Sequence, residues 1–539
     1  MILSRVEVQN FRRLKHAIVD LSPASFLIGP NNSGKSSVIR AVEALLSLRE
    51  DVVRQEDFYM NRQGEAEDEI VLTGTFSDIG ADVASSRGFA GRVIDGTFTY
   101  RKRYSRSTPN KPAIEALQYP HTVNPEFCNV RRFRDLVALG LTEEQLAEWF
   151  GVTDMSKAVP QGDMLLIPGA VDWHTDQQPE WCPNPGGFPS IVNSRLPKLL
   201  HIPSYVELAE FEKPEASKTK LGECLGVLFR DLLEDNVLAE EIGDRLTRLQ
   251  DQMSPDDDSS LVGSMCREIT RIIDEVFPEC GLSVRASLED LADILRPKYQ
   301  VNVYSNVPTD TARQGTGLVR TAVFAMLRYH STLRAGRDKT TKPLIIAFEE
   351  PEIYLHPHAA NLLRDTIYRL GRSDQIICTS HSPWMIDLSR DPQSITRFTV
   401  HKDGSARATN FGVSTSLKAL CADDRMRVKM LQAFDDELSR VFFADRAVIV
   451  EGDSEHIAIK ETLRLLPQEH RNAIGAAVQI VRARGKATIA SLARYLSALG
   501  IPFTAIHDRD AHVDKAFELN KVILEAVGDP SRVFVLEEC

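Results

Sequence analysis

The stretch ILSRVEVQNF (2–11) alternates polar and apolar residues, the pattern of a strand with one buried face, and ASFLI (24–28) is a short apolar run suited to a fully buried strand. SSVIRAVEALLSL (36–48) has helical spacing, so residues 1 to about 60 predict strand, turn, strand, glycine-rich loop and helix. That order predicts the start of an α/β domain. From about 61 to 300 the pattern breaks up: strand-like IVLTGTF and GTFTYRKRY, a Pro/Gly-rich stretch, then two amphipathic helical stretches around the polar turn MSPDDDSS. The latter predict a helical hairpin over about 222–277. Buried-strand runs return at TKPLIIAFEE and DQIICTSHS, so the α/β domain resumes over 301–400 and is split by a long insertion. After an irregular linker, 401–440, the runs AVIVE, AVQIVRA, IPFTAIHD and VFVLEE alternate with helices, which predicts a small parallel sheet over 441–539.

Composition narrows the class. The chain of 539 residues is long enough for two to four domains, and 43% hydrophobic with 26% charged residues is the balance of a globular protein. No run approaches the ~18 apolar residues of a membrane span, and the N-terminus reads as a strand rather than a secretory leader, so a cytoplasmic address without a membrane is expected. Eight cysteines without a CxxC pair argue against structural zinc, an iron–sulfur cluster or a disulfide framework. The net charge of −12 excludes a wholly basic nucleic-acid coat but not a local basic groove or a metal-mediated contact. RKRYSR (101–106) and RRFR (131–134) interleave cations with aromatics, a candidate phosphate-contacting surface that solvated element ends would explain equally.

Gly29 to Ser36 (GPNNSGKS) match G-x-x-x-x-G-K-[ST] directly between an apolar strand and a helix, the context this loop requires. Gly29, Asn31, Asn32, Gly34, Lys35, Ser36 and Ser37 are therefore the candidate nucleotide contacts. Backbone N–H groups wrap the phosphates, Lys35 reaches the outer ones and Ser36 ligates Mg²⁺. LIIAFEEPE (344–352) is an apolar strand ending in Glu349, a candidate to hold the metal-bound water, and Glu350, a candidate to polarise the attacking water. QIICT is followed by Ser380 and His381, whose imidazole is a candidate γ-phosphate sensor.

A second acidic set closes the chain. Glu451 ends AVIVE and is followed by Glu455 at a helix start, while Asp508 and Asp510 end IPFTAIHDRD two positions apart and so are expected on one face. Carboxylates converging at the C-terminal edge of one parallel sheet repel by roughly 4 kcal/mol per close pair at an effective dielectric of 20. A Mg²⁺ or Mn²⁺ ion held by Glu451, Glu455, Asp508 and Asp510 relieves this.

The loop, the acidic strand and the histidine in this order resemble ABC-type ATPases of the SMC-like and RecF-like group, in which a long insertion separates loop and acidic strand. ARQGTGLVRTAVFAML (312–327) is similar to that group's signature segment, although it departs from the usual Ser-Gly-Gly pattern. The resemblance implies that Gly315, Thr316 and Gly317 close on nucleotide held by a second subunit, in a homo-oligomer of head-to-tail modules, dimer or tetramer. EIYLHP (352–357) is similar to the group's D-loop, and Arg54 and Gln55 are weak candidates for its Q-loop. The C-terminal region resembles a TOPRIM fold, with a Glu after the first strand, an Asp-x-Asp after the third, and Gly485 and Lys486 in VRARGKATI at the middle turn.

An ABC-type ATPase followed by TOPRIM resembles the OLD family of ATP-dependent nucleases, which implies ATP and Mg²⁺ or Mn²⁺ as cofactors, DNA as substrate, and a setting in phage defence where a second defence protein is a further candidate partner. The family pattern runs past VFVLEEC to more acidic and lysine residues, so by this resemblance the TOPRIM-like part is incomplete, with Glu537 and Glu538 the candidates to stand in. The alternative reading is a DNA-binding ATPase clamp or scaffold whose TOPRIM domain docks partners or senses rather than cleaves.

Overall fold

The computed structural model describes residues 1–47, 52–86, 88–160, 164–165, 167, 169–183, 191–204, 344–353, 355–390, 393–401, 404–434 and 436–537. The expected signature segment at 312–327 and the hairpin at about 222–277 lie outside the described residues.

An antiparallel sheet runs in the order Glu180–Pro183, Thr108–Gln118, Thr97–Ser105, Glu69–Ser77, Ile2–Phe11, Leu14–Asp20. Burial alternates strictly along Glu69–Ser77, the mark of a sheet with one face on a core. Residues 69–118 thus continue the sheet begun by Ile2–Phe11, which corrects the expectation that the insertion opens near residue 61. Alternation reveals that a strand forms, not which partner it pairs with.

A second sheet has the order Lys198–Ile202, Leu344–Glu349, Gln375–Ser380, Ala24–Ile28, Gln393–Val400, Ala406–Phe411, with only the last pair antiparallel. Its central strands are buried apolar runs, as a sheet covered on both faces demands. The helix Lys35–Leu46 packs on strands of both sheets and shares one apolar core with them. The Gln375 amide stitches the sheets together, accepting from Leu3 N–H at 3.1 Å and donating to Leu3 C=O at 2.6 Å.

The C-terminal sheet is wholly parallel, in the order Val478–Arg482, Arg446–Val450, Phe503–Asp508, Val533–Leu536. Helix Lys486–Leu499 buries Ile489, Leu492, Ala493 and Leu496. The expected linker is structured instead. Ala406–Phe411 is an edge strand, and helix Ala422–Phe434 docks on Lys486–Leu499, where Asp424 accepts from Ser491 at 2.6 Å and Arg494 at 2.9 Å. No helix among the described residues is long and apolar enough to cross a membrane.

Candidate functional site

The loop Gly29–Ser36 leaves the buried strand Ala24–Ile28 and enters helix Lys35–Leu46. Its glycines are forced: φ is +140° at Gly29, where a Cβ would stand 2.3 Å from the Phe398 carbonyl oxygen, and +101° at Gly34. Asn32 also has a positive φ, 61°, and Asn31 and Asn32 are exposed while Ser37 is buried. The helix start carries no side-chain cap, which leaves its first-turn N–H groups for an anion. Lys35, 5% exposed, donates from Nζ to the carbonyls of Gly29 at 3.0 Å and Pro30 at 2.8 Å. Burial lowers its pKa to about 8, against the pull of Glu350 and Glu352.

The parallel register lays the ends of Leu344–Glu349 and Gln375–Ser380 beside this loop. Burial pushes the Glu349 carboxyl up, but His201, the Ser36 hydroxyl and Arg40 outweigh it and hold Glu349 below the ordinary carboxylate value. Ser36 and Glu349, separated by more than 300 residues in sequence, are thus neighbours whose side chains interact. Glu350 adopts φ 44°, with its N–H donated to the Thr379 carbonyl at 3.0 Å, and His381 Nε2 lies 2.8 Å from its Oε1. Glu352, from the D-loop-like segment, turns inward: it accepts from Ser380 Oγ at 2.5 Å and His381 N–H at 3.2 Å, and burial raises its pKa. Arg54 and Gln55 are exposed.

In the C-terminal sheet, Glu451 follows Arg446–Val450 and its Oε2 lies 3.4 Å from the Asp508 N–H on the adjoining strand. Burial raises Glu451, as do Asp510 and Asp508, against the Asp508 N–H and Lys486. Asp508 is likewise raised, by burial first and then by Glu455 and Asp510. One expectation needs correction. Asp510 is not on the strand, which ends at Asp508; a left-handed residue, φ 51°, brings it to the cluster, so strand alternation does not apply. Glu455 caps its helix by accepting from Gly452 N–H at 2.7 Å. Lys486, 4% exposed at its side chain, reaches into the acids and donates to the Asp508 carbonyl at 2.5 Å and Asp510 Oδ2 at 2.9 Å. Among the described residues, no three acidic, histidine or cysteine side chains close into a metal cage. Glu537 pairs with Arg509 at 3.1 Å, and Glu538 lies outside the described residues.

The first basic segment does not form a free patch. Arg101 and Arg103 pair with Glu115 and Glu69, while Lys102 and Tyr104 are buried against the last turn of Lys35–Leu46. In the second, Arg131, Arg132 and Arg134 are exposed around a buried Phe133. His201 and Lys486 are the residues that site prediction missed. His201 sits in an apolar strand with no signal of its own; Lys486 carried one, a Gly-Lys pair opening a helix.

A phosphate-binding loop with an acidic strand end and a histidine, joined in one chain to a parallel-sheet acidic cluster, defines a P-loop ATPase fused to a TOPRIM module. The AAA ATPase domain family matches residues 1–386, and the chain belongs to it. Residues 442–510 match the TOPRIM domain described as overcoming lysogenization defect protein-like. The chain is similar to the Old nuclease of Escherichia phage P2, 20% identical over 524 residues that span 94% of this chain and 77% of that protein. It is 33% identical to the OLD nuclease of Thermus scotoductus over 167 residues, 31% of this chain and 30% of that one. A solved SMC head, bound to the C-winged helix domain of ScpA, aligns at a TM-score of 0.37 and 14% identity, covering 78% of this chain and 100% of its own. The resemblance to the OLD family and the fold class read from the sequence are borne out.

Proposed function

We propose that this chain is an ATP-dependent DNA endonuclease, in which ATPase modules pair head to tail and the TOPRIM module hydrolyses phosphodiesters. The observation that carries the reading is the meeting of Glu451, Asp508 and Asp510 at one sheet edge with a buried lysine, in a chain that also holds a complete phosphate loop. The two nuclease relatives support it by kind.

In the ATPase module, Lys35 leaves its two carbonyls for the outer phosphates, and Ser36 and Glu349 are the pair that would hold Mg²⁺ against them. Glu350 accepts a proton from the attacking water, and His381, 2.8 Å away, fixes that carboxylate. Gly315, Thr316 and Gly317 are the segment proposed to cover nucleotide held by a second copy of the chain.

The donor chemistry of the TOPRIM cluster fits Mg²⁺ or Mn²⁺: the donors are hard carboxylate oxygens, and such ions need only one or two of them because water and substrate phosphate complete the shell. Glu451 and Asp508 are the residues that would hold it, and the ion would neutralise phosphodiester charge and make a bound water acidic. Lys486 holds the Asp508 backbone carbonyl and the Asp510 carboxylate and contributes a fixed positive charge. Incubating the protein with plasmid and linear DNA, with Mg²⁺ or Mn²⁺ and with or without ATP, tests the proposal; nicking or linearisation that needs metal supports it.

One observation favours a second reading. The Lys486 ammonium already neutralises Asp510. A clamp that binds DNA with ATP and does not cleave fits this, and ATP-dependent retention of uncut DNA under every metal condition would select it.

A further inference from the structure

The strand Lys198–Ile202 reads Leu199, Leu200, His201, Ile202 after its first residue, and His201 is its only charged or polar residue in the core. It is 2% exposed, and neither ring nitrogen makes an aligned hydrogen bond. Burying an imidazole in that state is costly, so a leucine would serve a purely structural strand better. Its register supplies another role. His201 pairs with Ala347, one pleat before Glu349, so both side chains stand on the same face of neighbouring strands. Nε2 lies 3.5 Å from Glu349 Oε1 and Nδ1 lies 4.0 Å from Glu43 Oε2. Glu43 belongs to the loop's own helix, where Arg40 Nη1 binds its Oε2 at 2.7 Å. The imidazole therefore stands between helix Lys35–Leu46 and the acidic strand, behind the Ser36–Glu349 pair.

We infer that His201 is a positioning residue for the nucleotide-bound divalent cation, with Nε2 as the donor that keeps the Glu349 carboxylate turned toward Ser36. This rests on the reading of Glu349 as a ligand for that cation. Outer-shell groups of this kind fix the orientation of a ligand without touching the ion, and their loss typically weakens metal affinity about 10- to 100-fold. A shift of a few tenths of an ångström, with a turn of the ring that aligns its N–H, would make the 3.5 Å contact an ordinary hydrogen bond.

The test compares His201→Gln, which keeps a donor, with His201→Met, which keeps similar length without one. In the full chain, the readout is the Mg²⁺ concentration that half-saturates binding of a fluorescent ATP analogue, with binding in EDTA as the control. His201→Met should raise that concentration roughly tenfold or more, His201→Gln should stay within about threefold of wild type, and both should bind alike in EDTA. Equal Mg²⁺ requirements in His201→Met and wild type overturn the inference, and so does equal loss in both variants. Glu349→Gln separates the two layers: a raised Mg²⁺ requirement there with none in His201→Met sinks the positioning role alone, whereas no change in Glu349→Gln sinks the ligand reading beneath it as well.

Discussion

Replacing Lys35 by Met keeps the buried aliphatic stem and deletes only the ammonium. In the wild-type loop Lys35 is 5% exposed and its ammonium rests on the carbonyls of Gly29 and Pro30. Burial lowers its pKa from 10.5 to about 8 even though Glu350 and Glu352 pull the other way, so the charged form carries a penalty of about 3 kcal/mol. A polyphosphate relieves that penalty, and the relief becomes part of its binding free energy. Lys35→Met should therefore weaken ATP binding by about 3 kcal/mol, roughly a hundredfold in Kd. Isothermal titration calorimetry at pH 7 measures this directly, with thermal melting as the check that the fold survives. A Kd within about threefold of wild type would refute the reasoning, because the buried charge would then be compensated by the loop carbonyls and not by nucleotide.

Glu350→Gln should bind ATP normally and hydrolyse it at least about a hundredfold more slowly in a steady-state phosphate-release assay, since the amide keeps the shape beside His381 but takes no proton. Asp508→Ala should abolish plasmid cleavage while leaving ATP turnover nearly intact, because the two clusters belong to different sheets; equal nicking by variant and wild type would move the nuclease centre elsewhere. Lys102 is buried against the Ala44 and Ser47 carbonyls, and burial lowers its pKa to about 8. Between that value and 10.5 the unfolded chain binds a proton that the folded one does not, so wild-type stability should rise with pH across that window, by at most about 3 kcal/mol. Lys102→Met should lose the rise, and parallel melting-against-pH curves for the two proteins would count against this account.

The fold was legible where one local pattern sufficed. The loop Gly29–Ser36 could be read because its glycines answer to local backbone geometry and its flanking strand and helix have distinct periods. The pair Glu349 and Glu350 could be read because a buried apolar strand has to end somewhere, and its end marks a sheet edge. The partners of those residues were not legible. IVLTGTF and GTFTYRKRY announce strands, but their membership in the first sheet depends on the former pairing with Ile2–Phe11 and the latter with Glu69–Ser77. The same limit hid the fate of RKRYSR, whose Arg101, Lys102 and Arg103 look free in sequence and are taken up by Glu115, a helix end and Glu69.

The sequence by itself determined the chemistry at each strand end: a lysine and serine in one loop, two glutamates after one strand, an acid after another. Those depend on residue identity over fewer than ten positions, where backbone preference and hydrophobic period act directly. Only the tertiary structure decided who meets whom. Ser36 meets Glu349, His201 comes to lie behind it from a third strand, and Lys486 enters an acidic cluster built from two others. Parallel pairing joins segments tens to hundreds of residues apart, and their register is set by burial across the whole sheet, so no local window of the chain contains it.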